Sequence, residues 1–294
     1  MTKKEINLRN DLRTLTNVHV RNMYWLLFSP SPLAQPYFDD LPLFPCDWIT
    51  VLNKESFDFF VSLDKSPQDL VFFLEDSNTF RMGVYAEKLM HYFLHHYTET
   101  TLLLSNYQVI DNKKTIGEID FIFQWKKRVI HIELAVKFYL DLKGKNELKG
   151  WVGPSGNDHL LKKVDKVKTH QLQLPSNELF KKQTEINCKS YLFLKGMFFS
   201  SNDFSPAWKN TQITYRNYLR LSDFMSNESY CDYKLLKRPN WMSALYMENE
   251  DLATSIEGED LVALIEKFNS LHLWHINKQT SIFVVKNEWP FNQQ

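Results

Sequence analysis

The chain has 294 residues, of which 44% are hydrophobic and 24% charged, and its basic and acidic side chains balance at 35 each. This composition is typical of a soluble globular protein with a large core, and net neutrality argues against a protein that coats nucleic acid without specificity. The three cysteines form no CxxC pair, which excludes an obvious zinc motif or disulfide framework. The charged N-terminus has no apolar signal-peptide core and no apolar run approaches a membrane span, so we expect a cytoplasmic protein without a membrane partner.

Helical spacing of apolar residues predicts a helical N-terminal extension over residues 1–80. The spacing runs through 5–28, where a Ser-Pro-Ser-Pro sequence ends the helix. The proline-rich stretch 30–48 predicts an irregular, extended connection. Shorter helices are expected near 53–62 and 66–76.

Residues 81–200 alternate between helical and strand-like patterns. The predicted helix at 81–97 has apolar side chains nearly all round, so we expect it to be buried. The other predicted elements of this segment are strands at 101–110, 115–125 and 128–138, a glycine-rich loop at 139–157, a helix at 158–173 and a strand at 190–199. The order is helix, three strands, helix, strand, which indicates an α/β fold.

The C-terminal third, 201–294, has weaker patterns. Its expected elements are a strand at 211–221, helices at 222–227 and 258–269, and a strand at 280–286. No linker is long or polar enough to demand a domain boundary. We therefore predict a single domain over 1–294, in which helical N-terminal and mixed C-terminal additions pack on the 81–200 core.

Residues 117–137, GEIDFIFQWKKRVIHIELAVK, place charged side chains inside two strands that otherwise alternate like buried sheet. A four-residue connection between the strands, Trp125 to Arg128, pairs Gln124 with Val129. Continuing that register sets Asp120 directly opposite Glu133 on one face. Two facing carboxylates repel each other unless a cation lies between or beside them.

Mg²⁺ suits this position because it takes oxygen ligands, commonly one or two carboxylates together with water and substrate phosphate. Lys137 lies on the same face, within reach of an attacking water or a phosphoryl oxygen. Glu118, also on this face, is either a further metal contact or a solvated edge group. Glu87 on the upstream helix is either a third acid of the site or a partner of a neighbouring basic residue. The alternative for the whole face is a solvated surface with a Lys–Glu pair worth about 0–1 kcal/mol.

A helix acid, then Asp in the second strand, then Glu and Lys in the third, resembles the PD-(D/E)XK core of restriction-endonuclease-like nucleases, whose element order is αβββαβ. More narrowly, the strings GEIDFIF and HIELAVKFYL, followed by WVGP at 151–154, resemble the bacterial DUF1853 family, which belongs to that superfamily. Further matching strings are WLLFSP at 25–30, RPNW at 238–241 and FVVKNEWP at 283–290. The resemblance spans nearly the whole chain and implies an α/β nuclease-like core with a mixed central sheet.

The resemblance also implies roles for single residues. Asp120 and Glu133 would bind Mg²⁺ or Mn²⁺, and Glu87 would match the helix acid that supports the metal site. The superfamily lysine usually stands two residues after the glutamate, where this chain has Ala135. Lys137, one strand repeat further on the same face, would be its substitute, and full activity depends on that substitution.

A local basic surface accompanies these acids. Over residues 112–170, Lys and Arg outnumber Asp and Glu by 13 to 7 within a neutral chain. Several of the lysines lie on the predicted helix 158–173, which often flanks the active site in the resembled superfamily. The expected substrate-binding residues are Lys162, Lys163, Lys166 and Gln171. The alternative is an ordinary solvated helix face.

These features give three hypotheses of function. The first is a metal-dependent phosphodiesterase, a nuclease that hydrolyses nucleic acid, with DNA favoured over RNA as its partner. The second is a weak or inactive nuclease-like fold that binds nucleic acid or a protein partner, and the displaced Lys137 motivates it. The third is a structural interaction module, consistent with the aromatic-rich C-terminal third.

Overall fold

The structure, a computed structural model, describes residues 3–35, 38, 40–75, 81–142, 147–200, 206–213, 215–227, 232–243, 253–256, 260–278 and 280–290. Contacts between its residues divide the chain into two compact units. The hairpin unit comprises Leu15–Val136 and Val164–Lys195, and the C-terminal unit comprises Met1–Thr14, Lys137–Lys163 and Gly196–Gln294. This division does not test the prediction of a single domain, which stays a prediction.

The helix predicted over 5–28 is two helices, α1 (Lys3–Thr14) and α2 (Val18–Phe28). The side chain of Asn17 accepts hydrogen bonds from two amides in the first turn of α2, at 2.9 and 3.2 Å. Such an N-cap residue has extended backbone, here with ψ of 128°, so it starts a new helix and cannot continue the preceding one.

The next two helices are α3 (Cys46–Lys65), which is longer than the piece predicted at 53–62, and α4 (Gln68–Glu75), which is shorter than the one predicted at 66–76. Pro67 separates them because the residue before a proline is disfavoured in helical backbone. The chain therefore turns between two amphipathic helices where a single long one would otherwise continue.

Helix α5 (Met82–His96) confirms the buried helix predicted at 81–97. It packs against α2 and the strand that follows it. Tyr24, Phe60 and Phe93 come from α2, α3 and α5, and their neighbouring ring centroids are 5.0 and 5.7 Å apart. All three are fully buried, and each such side chain contributes roughly 1.5–3 kcal/mol by leaving water.

Three antiparallel strands follow α5: β1 (Thr100–Asp111), β2 (Lys114–Trp125) and β3 (Arg128–Asp141). Gln124 pairs with Val129, as predicted from the length of the turn. In β3 both faces are buried from the third residue to the ninth, as expected of a strand in the middle of a sheet.

The predicted loop at 139–157 is partly wrong. Strand β3 continues to Asp141, and its last two residues pair with β4 (Trp151–Val152). These residues are almost entirely buried. Packing of their bulky side chains stabilises strand structure here, although the glycine content of the segment had predicted a loop. Residues 143–146 lie outside the described residues.

A 3₁₀ turn at Gln171–Ser176 packs against β2, and α7 (Glu178–Thr184) packs against β1. Helix α6 (Leu160–Thr169) precedes them along the chain. The helix predicted at 158–173 is shorter because His170 leaves the helical region, with φ of −130°. The cluster between these helices and the strands consists of Val109, Ile119, Ile122, Leu174 and Phe180.

Strand β5 (Lys189–Phe199) confirms the strand predicted at 190–199 and pairs with β3. A second sheet of five strands lies in the C-terminal unit, in the order β6-β10-β9-β7-β8, with β10 and β6 parallel and the other pairs antiparallel. Its strands are β6 (Tyr218–Arg220), β7 (Tyr233–Leu236), β8 (Ala253–Ser255), β9 (Ser270–His275) and β10 (Thr280–Val285). The described chain is therefore α/β, with helices and both antiparallel and mixed strand pairing.

Helices α8 (Leu221–Asn227) and α9 (Leu261–Phe268) pack on this second sheet and confirm the two helices predicted there. The strand predicted at 280–286 is β10, whereas the one predicted at 211–221 forms only as β6. Strands β7, β8 and β9 are additional to the predicted elements. No helix in the described ranges is long and apolar enough to cross a membrane.

His272 of β9 is buried inside an aromatic cluster. Its ring stacks on Phe283 with centroids 4.5 Å apart, and Phe138, Phe199 and Trp241 surround it. Neither of its ring nitrogens makes a hydrogen bond to a described residue. Burial lowers the pKa of His272 well below the ordinary value of 6.5, so the imidazole is neutral at neutral pH.

We therefore expect acid to destabilise the fold partly through His272. Below about pH 6.5, His272 binds a proton in the unfolded chain but stays neutral in the folded protein. As the pH falls, the free energy of unfolding therefore decreases by about 1.4 kcal/mol per pH unit. Urea unfolding between about pH 7 and about pH 5 should show a shallower fall for His272→Phe than for the wild type. Equal slopes for the two proteins would contradict the prediction.

Candidate active site

Asp120 lies where the β2–β3 ladder ends. The last pair of that ladder is Phe121 with Ile132, so the predicted next pair, Asp120 with Glu133, is absent from it. Instead, the Oδ2 atom of Asp120 accepts a hydrogen bond from the backbone amide of Leu134, at 2.8 Å. The Leu134 amide thus donates to the Asp120 carboxylate and not to a backbone carbonyl. This hydrogen bond holds Asp120 next to Leu134, the residue that follows Glu133.

On its other side, β2 keeps one register with β1 past Asp120, and the register shifts lie between Leu102 and Leu104 and between Val109 and Ile110. Ser105 pairs with Phe121 and Tyr107 with Ile119, on either side of Asn106 and Asp120. Asn106 has a φ of +49°, in the left-handed region that asparagine tolerates better than most residues. Irregular strand backbone is common next to active sites, where it redirects a side chain.

Glu133 is buried, with 2% of its surface exposed, and His131 on the same face of β3 is fully buried. Burial lowers the pKa of His131 to about 4, so its ring carries no charge at neutral pH. Neither of its ring nitrogens makes a hydrogen bond within the described part of the chain. His131 therefore brings no positive charge to the surroundings of Glu133.

The remaining predicted acids differ in their surroundings. Glu87 is half-buried on α5, and α5 packs against β1 and β2. Glu118 is exposed, and its Oε2 atom accepts a hydrogen bond from the Gln108 side chain at 3.3 Å, as expected of a solvated edge group. No three His, Cys, Asp or Glu side chains among the described residues are grouped so that they could hold a metal ion. The role of Glu87 as a third ligand stays a prediction.

Lys137 is in the C-terminal unit, and its ammonium forms an ion pair with Asp158, with Nζ and Oδ2 2.6 Å apart. The hydroxyl of Tyr139, two residues further along β3, donates to the other oxygen of Asp158 at 3.3 Å. Burial, followed by the charge of Asp158, raises the pKa of Tyr139 well above its ordinary value, so its hydroxyl keeps its proton. The sequence did not indicate this partner for Lys137, because Asp158 lies 21 residues away.

The predicted substrate-binding residues lie on α6 and the 3₁₀ turn after it. Lys162 and Lys166 are exposed, whereas Lys163 and Gln171 are half-buried. Lys168 on the same helix forms an ion pair with Asp40. The exposed lysines are compatible both with a phosphate-binding surface and with a solvated helix face, so their role stays a prediction.

Lys195 of β5 is a buried cation that the sequence analysis did not single out. It is 1% exposed, and its ammonium donates to the backbone carbonyls of Leu27, at 3.1 Å, and Ser29. These carbonyls lie at the C-terminal end of α2, where a positive charge is favourable. The signal in the sequence was a lysine inside the apolar run SYLFLKGMFF, the same type of signal that pointed to Glu133.

Comparison with known families gives one match. The profile described as "Domain of unknown function (DUF1853)" matches residues 21–282, which is most of the chain. Searches of curated proteins and of solved structures gave no match. The chain belongs to the DUF1853 family.

Proposed function

We propose that the protein is a metal-dependent phosphodiesterase that hydrolyses nucleic acid, built on a PD-(D/E)XK-like core. The observation that carries the proposal is the end of the β2–β3 ladder beside Asp120, whose carboxylate is fixed by the Leu134 amide next to Glu133. Buried backbone groups that lose their strand partner cost free energy unless another group accepts or donates the hydrogen bond, as the Asp120 carboxylate does for the Leu134 amide. Support also comes from the order α5, β1, β2, β3, α6, β5 along the chain, which agrees with the αβββαβ succession once the short β4 and α7 between these elements are set aside.

The donor set fits a hard divalent cation. Asp120 is half-buried and Glu133 is buried on the neighbouring strand, and both present carboxylate oxygens. Mg²⁺ at phosphate-processing sites commonly uses one or two protein carboxylates and completes its coordination with water and substrate oxygens. Two carboxylates are therefore sufficient, and neither a thiolate nor a charged imidazole is needed.

Asp120 and Glu133 would hold the metal, which when bound would polarise a phosphoryl oxygen and lower the pKa of a water. The Leu134 amide orients the Asp120 carboxylate before substrate arrives, so little reorganisation is needed. Burial of Glu133 keeps competing water away and strengthens its electrostatic interactions. The reaction is direct hydrolysis: water oxygen bonds to phosphorus, the ester P–O bond breaks, and the leaving oxygen gains a proton.

The test is cleavage by the purified protein. Single-stranded DNA, duplex DNA and RNA would be incubated with the protein in Mg²⁺, in Mn²⁺ and in a chelator, and the products resolved on a gel. We expect strand cleavage that requires the metal. Equal cleavage in metal and in chelator, or no cleavage of any substrate, would count against the proposal.

A second candidate is a protein that binds nucleic acid without cleaving it. The ion pair between Lys137 and Asp158 favours it, because an ammonium engaged at 2.6 Å by a carboxylate is less able to orient a water or stabilise a phosphoryl oxygen. Calorimetric titration with Mg²⁺ separates the two candidates. Salt-sensitive DNA binding together with an absence of metal uptake would favour the second.

A further inference from the structure

A cavity of about 350 Å³ opens at the turn between β2 and β3, within the hairpin unit. Its size is in the range of small-ligand sites. The residues that line it are Trp48, Lys127, Arg128, Val129, Ile130, Asn187, Cys188 and Lys189. Neither Asp120 nor Glu133 is among them, and the cavity is thus separate from the candidate active site.

The lining is positively charged. Lys127, Arg128 and Lys189 are all exposed, and no acidic residue lines the cavity. Within the described ranges none of these three cations forms a salt bridge. Lys126, in the same turn, is different, because its ammonium pairs with Glu55 at 2.8 Å. Three neighbouring cations without acidic partners attract an anion with several charged oxygens, such as a phosphate.

The cavity also holds an aromatic ring and a guanidinium group in contact with each other. The guanidinium of Arg128 lies over the ring of Trp48, with its central carbon 4.8 Å from the ring centroid. The Trp48 ring is held in place by edge contacts with Phe44, Trp125 and Tyr191, at centroid distances of 5.6–6.1 Å. Indole rings and guanidinium planes are the surfaces on which proteins stack nucleobases.

Two further features narrow the ligand class. Asn187 contributes an amide that both donates and accepts hydrogen bonds, as the edge of a base requires. Burial raises the pKa of Cys188 to about 11, so its thiol stays neutral and is a poor nucleophile. The lining therefore suits recognition of a planar anionic ligand and lacks an activated nucleophile. An acidic peptide would satisfy the cations but would leave the stacking surface unused.

We propose that this cavity binds a nucleotide unit, with its base stacked on the Trp48–Arg128 surface and its phosphate held by Lys127, Arg128 and Lys189. The unit is either a free mononucleotide or one residue of a single strand. Glu133 follows Arg128 by five positions along β3, about 17 Å at the rise of an extended strand, so one strand of nucleic acid could reach both places. The proposal does not rest on the proposed phosphodiesterase activity.

The test measures binding at low salt in the presence of a chelator, so that a metal at Asp120 and Glu133 plays no part. Adenosine monophosphate, inorganic phosphate and a labelled twelve-nucleotide single strand would be compared by calorimetry and fluorescence anisotropy. We expect the wild type to bind the strand, the mononucleotide or both, and to bind inorganic phosphate at least about 10-fold more weakly. Binding of the mononucleotide identifies a free nucleotide as the ligand, and binding of the strand alone identifies nucleic acid.

Arg128→Gln should weaken binding about 10-fold or more, because it removes both a cation and a stacking plane. Lys126→Gln, which makes the same charge change in the same turn outside the cavity, should weaken it less than about 2-fold. Circular dichroism of both variants should match the wild type, since Arg128 is exposed. Equal weakening by the two variants, or inorganic phosphate binding as tightly as the nucleotide, would overturn the proposal. Loss of cleavage with retained nucleotide binding would reject only the phosphodiesterase.

Discussion

Asp120→Asn and Glu133→Gln should each reduce metal-dependent cleavage of nucleic acid by about 1,000-fold or more. Each change keeps the shape of the side chain but removes the charge that holds a divalent cation, and with it the polarised phosphoryl oxygen and activated water. Such a loss corresponds to about 4 kcal/mol of transition-state stabilisation. Initial rates at saturating Mg²⁺, with metal uptake measured by calorimetry on the same samples, would show whether chemistry and metal binding are lost together.

Glu118→Gln is the matched control. Glu118 is on the same strand as Asp120, but it is exposed and interacts with Gln108. It should keep the rate within about 3-fold of the wild type, because exposed charges away from the reacting atoms contribute little. Thermal unfolding of all three variants would separate lost chemistry from lost folding. Retained cleavage in both Asp120→Asn and Glu133→Gln would refute the assignment of these residues as metal ligands.

The hairpin that carries these acids was predictable because local rules determine it. The length of the connection and apolar alternation fix the register of neighbouring strands, and the pair Gln124–Val129 followed from them. The connection itself is shorter than the predicted four residues, because Trp125 and Arg128 also pair. Helix α5 was predictable for a similar reason, since nearly all of its faces are apolar. The hairpin is determined by contacts between residues close together in the sequence. Helix α5 has an apolar pattern that is compatible only with a buried helix.

The details of the candidate site were not predictable in this way. The ladder ends at Phe121–Ile132, and the Leu134 amide donates to the Asp120 side chain, a hydrogen bond that no periodicity signals. The left-handed backbone of Asn106 acts on the other side of β2, 14 residues earlier in the chain. Neither feature follows from the apolar pattern of the strands, because each depends on the backbone or side chain of a single residue.

The second sheet illustrates a different limit. Strand β9 reads SLHLWH, and all six of its residues are buried, so its polar positions do not mark a solvent-exposed face. His272 and His275 in this strand look polar in the sequence, yet both are buried. Likewise, Lys137 looked available until the fold brought Asp158 to it across a segment predicted as a loop.

Gly196→Ala should destabilise the protein by about 3 kcal/mol or more, the largest stability effect that we expect from a single methyl group. Gly196 lies on β5 directly against β3, and a Cβ atom built there would be 1.9 Å from the carbonyl oxygen of Lys137. The obstacle is backbone, which cannot rotate away as a side chain could, so the two strands must separate. The displacement of β3 would be largest at Lys137, whose ammonium pairs with Asp158. Urea unfolding would measure the decrease in the free energy of unfolding, and a low soluble yield of the variant would also indicate destabilisation.

Gly83→Ala gives the matched control with the opposite sign. Gly83 lies in the first turn of α5, and a Cβ atom built there meets nothing within 4 Å. The same methyl group should therefore stabilise the protein by about 0.4–1 kcal/mol, because alanine loses less backbone entropy than glycine in a helix. A Gly196→Ala protein as stable as the wild type would show that β5 does not approach β3 this closely. The contacts that position Lys137 would then need to be reassigned.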